Sequence, residues 1–478
     1  MAIRGLLPLS TVTIQGFLRA ELATGCSNGA GSKYGIAASR VHREFAEEIA
    51  LATGSPTQFP PLTPMTDVSL GQSRLRLRPY AWFDATWRGG KVATWGDQPR
   101  VGIAGTLHLS PHLTLQQDLF AGDVPDGLQF GDALVNHTDF ILFVESVGVT
   151  YARAQGFLRL GRFRNAWGPG RTSHLLLAST AQPFGQLEYG LVLGDFRFRA
   201  LSGILDPTSE KNIALHRLEW SPHPRWLLSV SEGAVFHGSP AQPLYALGLV
   251  PYSILDRVAA QDVYRTGDLQ AVRNNVLVQA DVLVRVLDSS ALWGEMLIDD
   301  VGTESSTHPT RLGFLVGAET EQDAGDGEWN LGLELAKVYN YVYSVYYEDS
   351  DWSHQARPIG FELGPDTESG WIFLHWSPAV TWEVGVDLAL ERRGEGRIGN
   401  PWTAESDPSS GGDSPTSPSS LSGTVERRTS GSLSLVWSPT GALRVELRGT
   451  RAEFRDLENQ AGAKGDDNRI DLTARWHR

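Results

Sequence analysis

Arg74–Arg88 reads RLRLRPYAWFDATWR. Leu75, Leu77, Pro79, Ala81, Phe83, Ala85 and Trp87 take the odd positions, and Arg74, Arg76, Arg78, Tyr80, Trp82, Asp84, Thr86 and Arg88 the even ones. Side chains alternate across a strand, so this run has one apolar face and one strongly polar face. It continues for about fifteen residues, well beyond the ~5–6 of an ordinary globular strand.

The rhythm returns along the chain. Val276, Val278, Ala280, Val282, Val284 and Val286 oppose Gln279, Asp281 and Arg285; Trp382, Val384, Val386, Leu388 and Leu390 oppose Glu383, Asp387 and Glu391. Phe196 and Phe198 oppose Arg197 and Arg199, and Ile470, Leu472, Ala474 and Trp476 oppose Arg469, Asp471, Thr473 and Arg475. Roughly sixteen to eighteen such segments can be counted, more than one soluble sandwich uses. Long segments, mixed charge on one face and aromatic ends on the other predict an all-β, closed antiparallel transmembrane barrel.

A second phrase punctuates the strands: Trp-Ser-Pro at Trp220, Trp376 and Trp437, with a weaker copy at Leu109. The tryptophan is expected to end a strand at the membrane interface, and Ser-Pro to begin a tight turn. These copies then mark the periplasmic rim, where such barrels keep their turns short. The Ser/Pro/Gly/Asp stretch Gly399–Gly423 and the stretch Tyr346–Gly370 fall on the opposite side and read as extracellular loops. Val41, Phe45 and Ile49 recur at spacing four between Ser39 and Gly54, which predicts a short helix. Residues 1–70 thus form an N-terminal periplasmic or plug segment and residues 71–478 the barrel.

Composition narrows the function. The net charge of −14 argues against a nucleic-acid partner. Only five of the 41 basic residues are lysine; arginine pairs better with planar carboxylates. The single cysteine, Cys26, forms no intrachain disulfide and no Cys/His cluster has metal spacing, so no metal or cofactor is expected. LATGC before Cys26 is a faint lipidation box, spoiled by Arg19 and Glu21. The opening residues make a poor signal peptide, so an export signal is expected further upstream.

At Gly161–Gly190, GRFRNAWGPGRTSHLLLASTAQPFGQLEYG, the chain resembles the capsule assembly protein Wzi family. NNVLVQADVLVRV followed by LWGEMLIDD (Asn274–Asp300) and HQARPIGFELGPD (His354–Asp366) resemble later parts of that family, in order. The resemblance implies an outer-membrane barrel of about 18 strands, plugged and monomeric, that binds or organises capsular or other surface polysaccharide without catalysis. Its partners would be that glycan and outer-membrane lipid. A diffusion porin carries the same alternation and is the alternative, followed by an outer-membrane hydrolase.

Within the motif, Trp167, Gly168, Pro169 and Gly170 are expected to form a tight turn. A second role is open to Trp167, as a stacking platform for a sugar with Arg162, Arg164 and Arg171 as donors to acid groups. Trp352 and Trp402, in the two long loops, are further stacking candidates. Glu295, Asp299 and Asp300 could bind a cation, but pairing with lumenal arginines is the expected role. Ser173 and His174 suggest a nucleophile and base, yet strand neighbours point to opposite faces.

Overall fold

The computed structural model describes residues 14–15, 66–71, 73–89, 94–110, 112–123, 133–134, 140–153, 155–256, 258, 274–300, 310–324, 327–345, 348–355, 357–399, 420–440 and 442–477. Cys26, Trp402 and the helix expected over residues 39–54 lie outside this set.

Among the described residues, eighteen antiparallel strands close into one barrel. The first six are β1 (Ser73–Gly89), β2 (Thr94–His108), β3 (Leu113–Asp123), β4 (Phe140–Arg153), β5 (Gly156–Phe163) and β6 (Phe184–Leu193). Then come β7 (Phe196–Asp206), β8 (Lys211–His223), β9 (Trp226–His237), β10 (Asn275–Leu287), β11 (Ser290–Asp300) and β12 (Arg311–Ala324). The last are β13 (Gly327–Val338), β14 (Thr367–Ala379), β15 (Trp382–Arg393), β16 (Glu426–Thr440), β17 (Leu443–Arg455) and β18 (Lys464–His477). Closure runs from Asn468↔Gly89 to His477↔Tyr80, where β18 meets β1. A five-residue strand, Thr66–Leu70, pairs with the start of β1.

The alternation sorts as its chemistry requires. Leu388, Leu390, Leu433, Leu435, Leu447, Ile470 and Leu472 are exposed on the outer face. Arg217, Glu219, Gln279 and Asp281 are buried in the lumen. There Arg217 bridges Asp281 (2.6 and 2.8 Å) and Glu219 (2.9 Å) and donates to Ser229 and Ser231. Glu188 lies between Arg159 and Arg199 and accepts from both. The expected lumenal charge pairing is therefore present.

Trp-Ser-Pro does mark the rim with the short turns, but Ser-Pro does not start the turn. It stays inside the strand. Register shifts fall between Trp220 and His223, Trp376 and Ala379, and Trp437 and Thr440, so the two residues skipped are each time Ser and Pro. Proline has no N–H for the ladder, and a bulge is where a strand tolerates it. The serine N–H turns instead to the neighbouring hairpin: Ser221 donates to Asp195 O (2.9 Å) and Ser438 to Thr381 O (2.8 Å). The tryptophans stay outward and partner other aromatics, Trp220 with Phe196 (5.9 Å), Trp376 with Trp329 (5.4 Å) and Trp437 with Trp382 (6.0 Å). This is the aromatic girdle of a membrane barrel.

The long connections lie at the other end. One of them does something the sequence pattern did not suggest. After β9, residues 239–256 fold back along the outer wall. Leu218, Trp220 and Val230 face outward, and His216 and Glu232 share their face by alternation. Glu232 accepts from the backbone N–H of Tyr252 (2.6 Å) and Ser253 (2.9 Å) and lies 3.3 Å from His216 Nε2. Gly248 follows the short helix α1 (Pro243–Leu247) at φ +56°, and a Cβ there would come within 2.9 Å of Ala200 Cβ. The strap's own Leu244, Leu247, Leu249 and Ile254 are exposed.

A charge on the lipid-facing wall should be costly. Leu388→Arg, between the rims on β15, is expected to destabilise the barrel by about 2–4 kcal/mol. Chaotrope unfolding of the protein refolded into phospholipid vesicles measures this. An unchanged midpoint would mean that this face does not meet lipid.

Candidate functional site

The lumen holds a second layer of structure, built from two loops. Residues 164–183 join β5 to β6, and residues 339–366 join β13 to β14. Leu175, Leu176 and Leu177 of the first loop, and Val342, Tyr343, Trp352 and Ile359 of the second, are fully buried. They form one apolar cluster with lumenal Leu201, Leu215, Leu277, Leu297 and Leu315. Two donors of the second loop fasten the first: Trp352 Nε1 to Leu176 O (2.8 Å) and Tyr343 Oη to Leu175 O (2.5 Å). Ala178 N returns a bond to Ile359 O (2.8 Å).

Two wall carboxylates receive this plug. Glu295 on β11 accepts from Gly170 N (2.9 Å) and Leu175 N (2.8 Å), with His174 Nδ1 at 3.2 Å. Glu334 on β13 accepts from Arg171 N (2.6 Å), Thr172 N (2.9 Å) and Trp293 Nε1 (2.8 Å). The motif's glycines follow from this contact. A Cβ on Gly168, at φ +139°, would lie 2.3 Å from the Glu295 carboxylate, and one on Gly170 would lie 2.1 Å from Ser173 O.

The predicted site residues can now be located. Trp167 is fully buried, pairs with Leu177, and has the Arg199 guanidinium 5.7 Å from its ring. The pair Ile14–Gln15 adds to it as a short antiparallel strand, against Trp167 and Ala166. Trp352 is also fully buried. Neither ring has a free face, which corrects the expectation that they stack on sugar. Arg164 is used up inside, on Glu145 (2.7 Å) and on the carbonyls of Ser179 and Ala181. Arg162 has its guanidinium 5.5 Å from the Phe143 ring. Arg171 pairs with Glu319 (3.4 Å) and lies over Phe373 (5.0 Å). The three arginines are thus spread around the wall and plug and do not converge on one ligand.

Glu295 meets backbone N–H groups and not the arginine expected for it. Asp299 does pair with Arg311 (3.3 Å), and it also accepts from Tyr343 N (2.6 Å); the Asp300 side chain lies outside the described set. Among the described residues no cluster of three or more metal-binding side chains occurs. Ser173 Oγ accepts from Glu362 N (3.1 Å) while His174 turns to Glu295, and both are buried. Ser173 thus joins the two plug loops, and His174 connects the plug to the wall.

On the extracellular side, several loops tie together at Asp366. Its carboxylate accepts from Gly396 N (2.8 Å) and from Ser422, and its carbonyl from Gly394 N (2.8 Å). Arg397 and Asn459 continue the knot, with Arg397 bonded to Asn459 (2.7 Å) and Asn459 to the carbonyls of Arg393 and Thr424. Tyr341 (φ +65°), Tyr343 (φ +72°) and Asp366 (φ +58°) all sit in the left-handed region. Bulky residues hold that conformation only where packing over-determines it, and such strain gathers at functional sites. Sequence periodicity carries no signal for this knot.

The capsule assembly protein Wzi family model matches residues 149–468. The chain belongs to that family. The range takes in the plug motif, both carboxylates and the Asp366 knot. Wzi from Escherichia coli, described as a carbohydrate-binding outer-membrane β-barrel involved in group 1 capsule assembly, superimposes with a TM-score of 0.63 at 14% identity, covering 100% of this chain and 95% of that one. OprD of Pseudomonas aeruginosa gives a TM-score of 0.45 at 10% identity, covering 84% of this chain and 95% of that one. No curated protein matches by sequence. A Wzi-family barrel with an outward apolar band and a tryptophan girdle is an outer-membrane protein.

Two outcomes test the plug. Glu334→Ala strands several buried donors and is expected to lower stability by about 3 kcal/mol. Chaotrope unfolding reads this directly, and a wild-type midpoint would remove Glu334 from the plug's support. His354, in the second loop, is packed against Phe184. Burial, then Arg162 and Lys211, push its pKa down to about 4. The unfolded chain therefore binds more protons between about pH 6.5 and 4, so stability should fall as pH drops through that window. His354→Gln should flatten that part of the pH–stability curve. An unaltered slope would assign it to other groups.

Proposed function

We propose that this barrel binds capsular or other surface polysaccharide at its extracellular face and acts by holding the glycan, not by catalysis. The observation that carries the reading is the plug in a Wzi-family barrel. Two loops build a packed apolar core in the lumen, where a diffusion porin keeps water. The second loop ends at the Asp366 knot, so the plug is continuous with an extracellular platform.

Tyr341, Arg357 and Glu362 of the second loop are the candidate sugar contacts on that side, and Trp402, in the long connection after β15, is the candidate stacking ring. Arginine donates in pairs to uronate carboxylates, and tryptophan stacks on sugar faces. The net charge of −14 opposes a polyanionic glycan at long range, but beyond ~8 Å physiological salt screens it. A hydrolase is disfavoured because Ser173 and His174 are buried and bonded to separate partners.

The test is titration of the detergent-purified, folded barrel with surface polysaccharide from its source cell. Wild type should bind, and Trp402→Ala should bind about five- to tenfold more weakly, as loss of one stacking contact implies. Large, steady single-channel conductance with no glycan affinity would overturn the reading in favour of a porin.

A further inference from the structure

The outer wall carries a charged feature unrelated to the plug. At the extracellular ends of β13–β18, six residues stand directly opposite one another on successive strands: Lys337↔Glu368↔Arg392↔Arg427↔Arg455↔Lys464. Alternation puts them on the face of Leu335, Leu390, Leu433, Leu447 and Ile470, which is the lipid-facing one. Five of the six are cations, and two of the chain's five lysines are among them.

The height of the row is informative. Arg392 lies ten residues from Trp382, and Arg427 ten from Trp437. At ~3.3 Å per residue and a tilt near 40°, this places the row roughly 25 Å above the tryptophan rim, the height of a barrel's apolar band. The cations therefore lie at the level of the outer-leaflet headgroups.

Their charge is poorly balanced within the protein. Glu368 serves both Lys337 (2.9 Å) and Arg392 (2.7 Å). Glu453, below the row, is engaged by Arg451 (2.8 Å), and Asp466 accepts from Asn468 (3.0 Å). Arg427, Arg455 and Lys464 are exposed and make no ion pair among the described residues. Strands are ~4.8 Å apart, and like charges directly opposite destabilise a sheet. Anions lying along the row would remove that repulsion.

We propose that this row binds the phosphate groups of an anionic glycolipid in the outer leaflet. The guanidinium forks of Arg392, Arg427 and Arg455 suit phosphate oxygens. The leucines just below offer the acyl chains a continuous apolar wall. A soluble acidic glycan would satisfy the charges and leave that wall unused.

The test uses the full-length barrel folded in zwitterionic detergent. It is titrated in mixed micelles with bis-phosphorylated lipid A, and separately with the same lipid stripped of phosphate. Melting temperature and affinity are the readouts. The phosphorylated lipid should raise the melting temperature of wild type well above the effect of the stripped lipid. The variant Arg427→Gln/Arg455→Gln/Lys464→Gln should melt no lower than wild type without lipid, since repulsion is relieved. It should bind the phosphorylated lipid at least about tenfold more weakly. Equal stabilisation of wild type by the two lipids would overturn the proposal, and that comparison needs no variant. So would undiminished lipid binding by the variant, or a preference of these residues for soluble polyglucuronate over the lipid.

Discussion

Glu295 and Glu334 are the point on which the lumen depends. Each is a wall carboxylate that accepts backbone N–H groups from the same short stretch, Gly170 to Leu175. A charged acceptor in a low-dielectric interior makes strong bonds when fully satisfied and is expensive when it is not. That asymmetry fixes the depth of the first loop. Once it is set, the carbonyls of Leu175 and Leu176 face the donors of Tyr343 and Trp352, and the second loop follows. The apolar cluster fills what remains. The barrel thus has a conventional hydrophobic core inside it, although its outer face is apolar as well.

Much of the architecture was legible in the chain. Alternation at Arg74–Arg88 and Val276–Val286 reports which face meets lipid, because the period of a strand is two whatever surrounds it. Trp-Ser-Pro reports the rim, since tryptophan prefers the interface and proline cannot join the ladder. The site was much less legible. Trp167 and Trp352 look like free aromatic platforms in a loop-like context, yet tertiary packing encloses both rings. The position of Glu334 in LELAKV gives no hint that its partners lie 162 and 163 residues away. Nothing periodic announces Asp366, whose partners come from separate loops.

The outer wall is equally uneven. Over β7–β10 it is covered by a strap that brings its own leucines and hides His216 and Glu232. Over β13–β18 it is bare leucine topped by cations. Polar groups at membrane depth are tolerated only when the protein satisfies them, and Glu232 illustrates this by accepting the two backbone N–H groups of Tyr252 and Ser253. The unpaired cations sit above that depth, where water and headgroups can answer them.

The plug also bears on how the molecule assembles. Its two loops leave the wall eight strands apart on a ring of eighteen, nearly opposite each other. The contact from Trp352 to Leu176 spans 176 residues, and that from Tyr343 to Leu175 spans 168. Contacts so distant along the chain form only after much loop entropy has been lost, and topologies rich in them fold slowly. The seam between β18 and β1 joins the two ends of the strand series. Each loop is tethered to the wall at both ends, so the contacts between them tie together two arcs of the cylinder that lie far apart along the chain. Filling the lumen therefore braces the ring across its diameter, where hydrogen bonding between neighbouring strands has no reach.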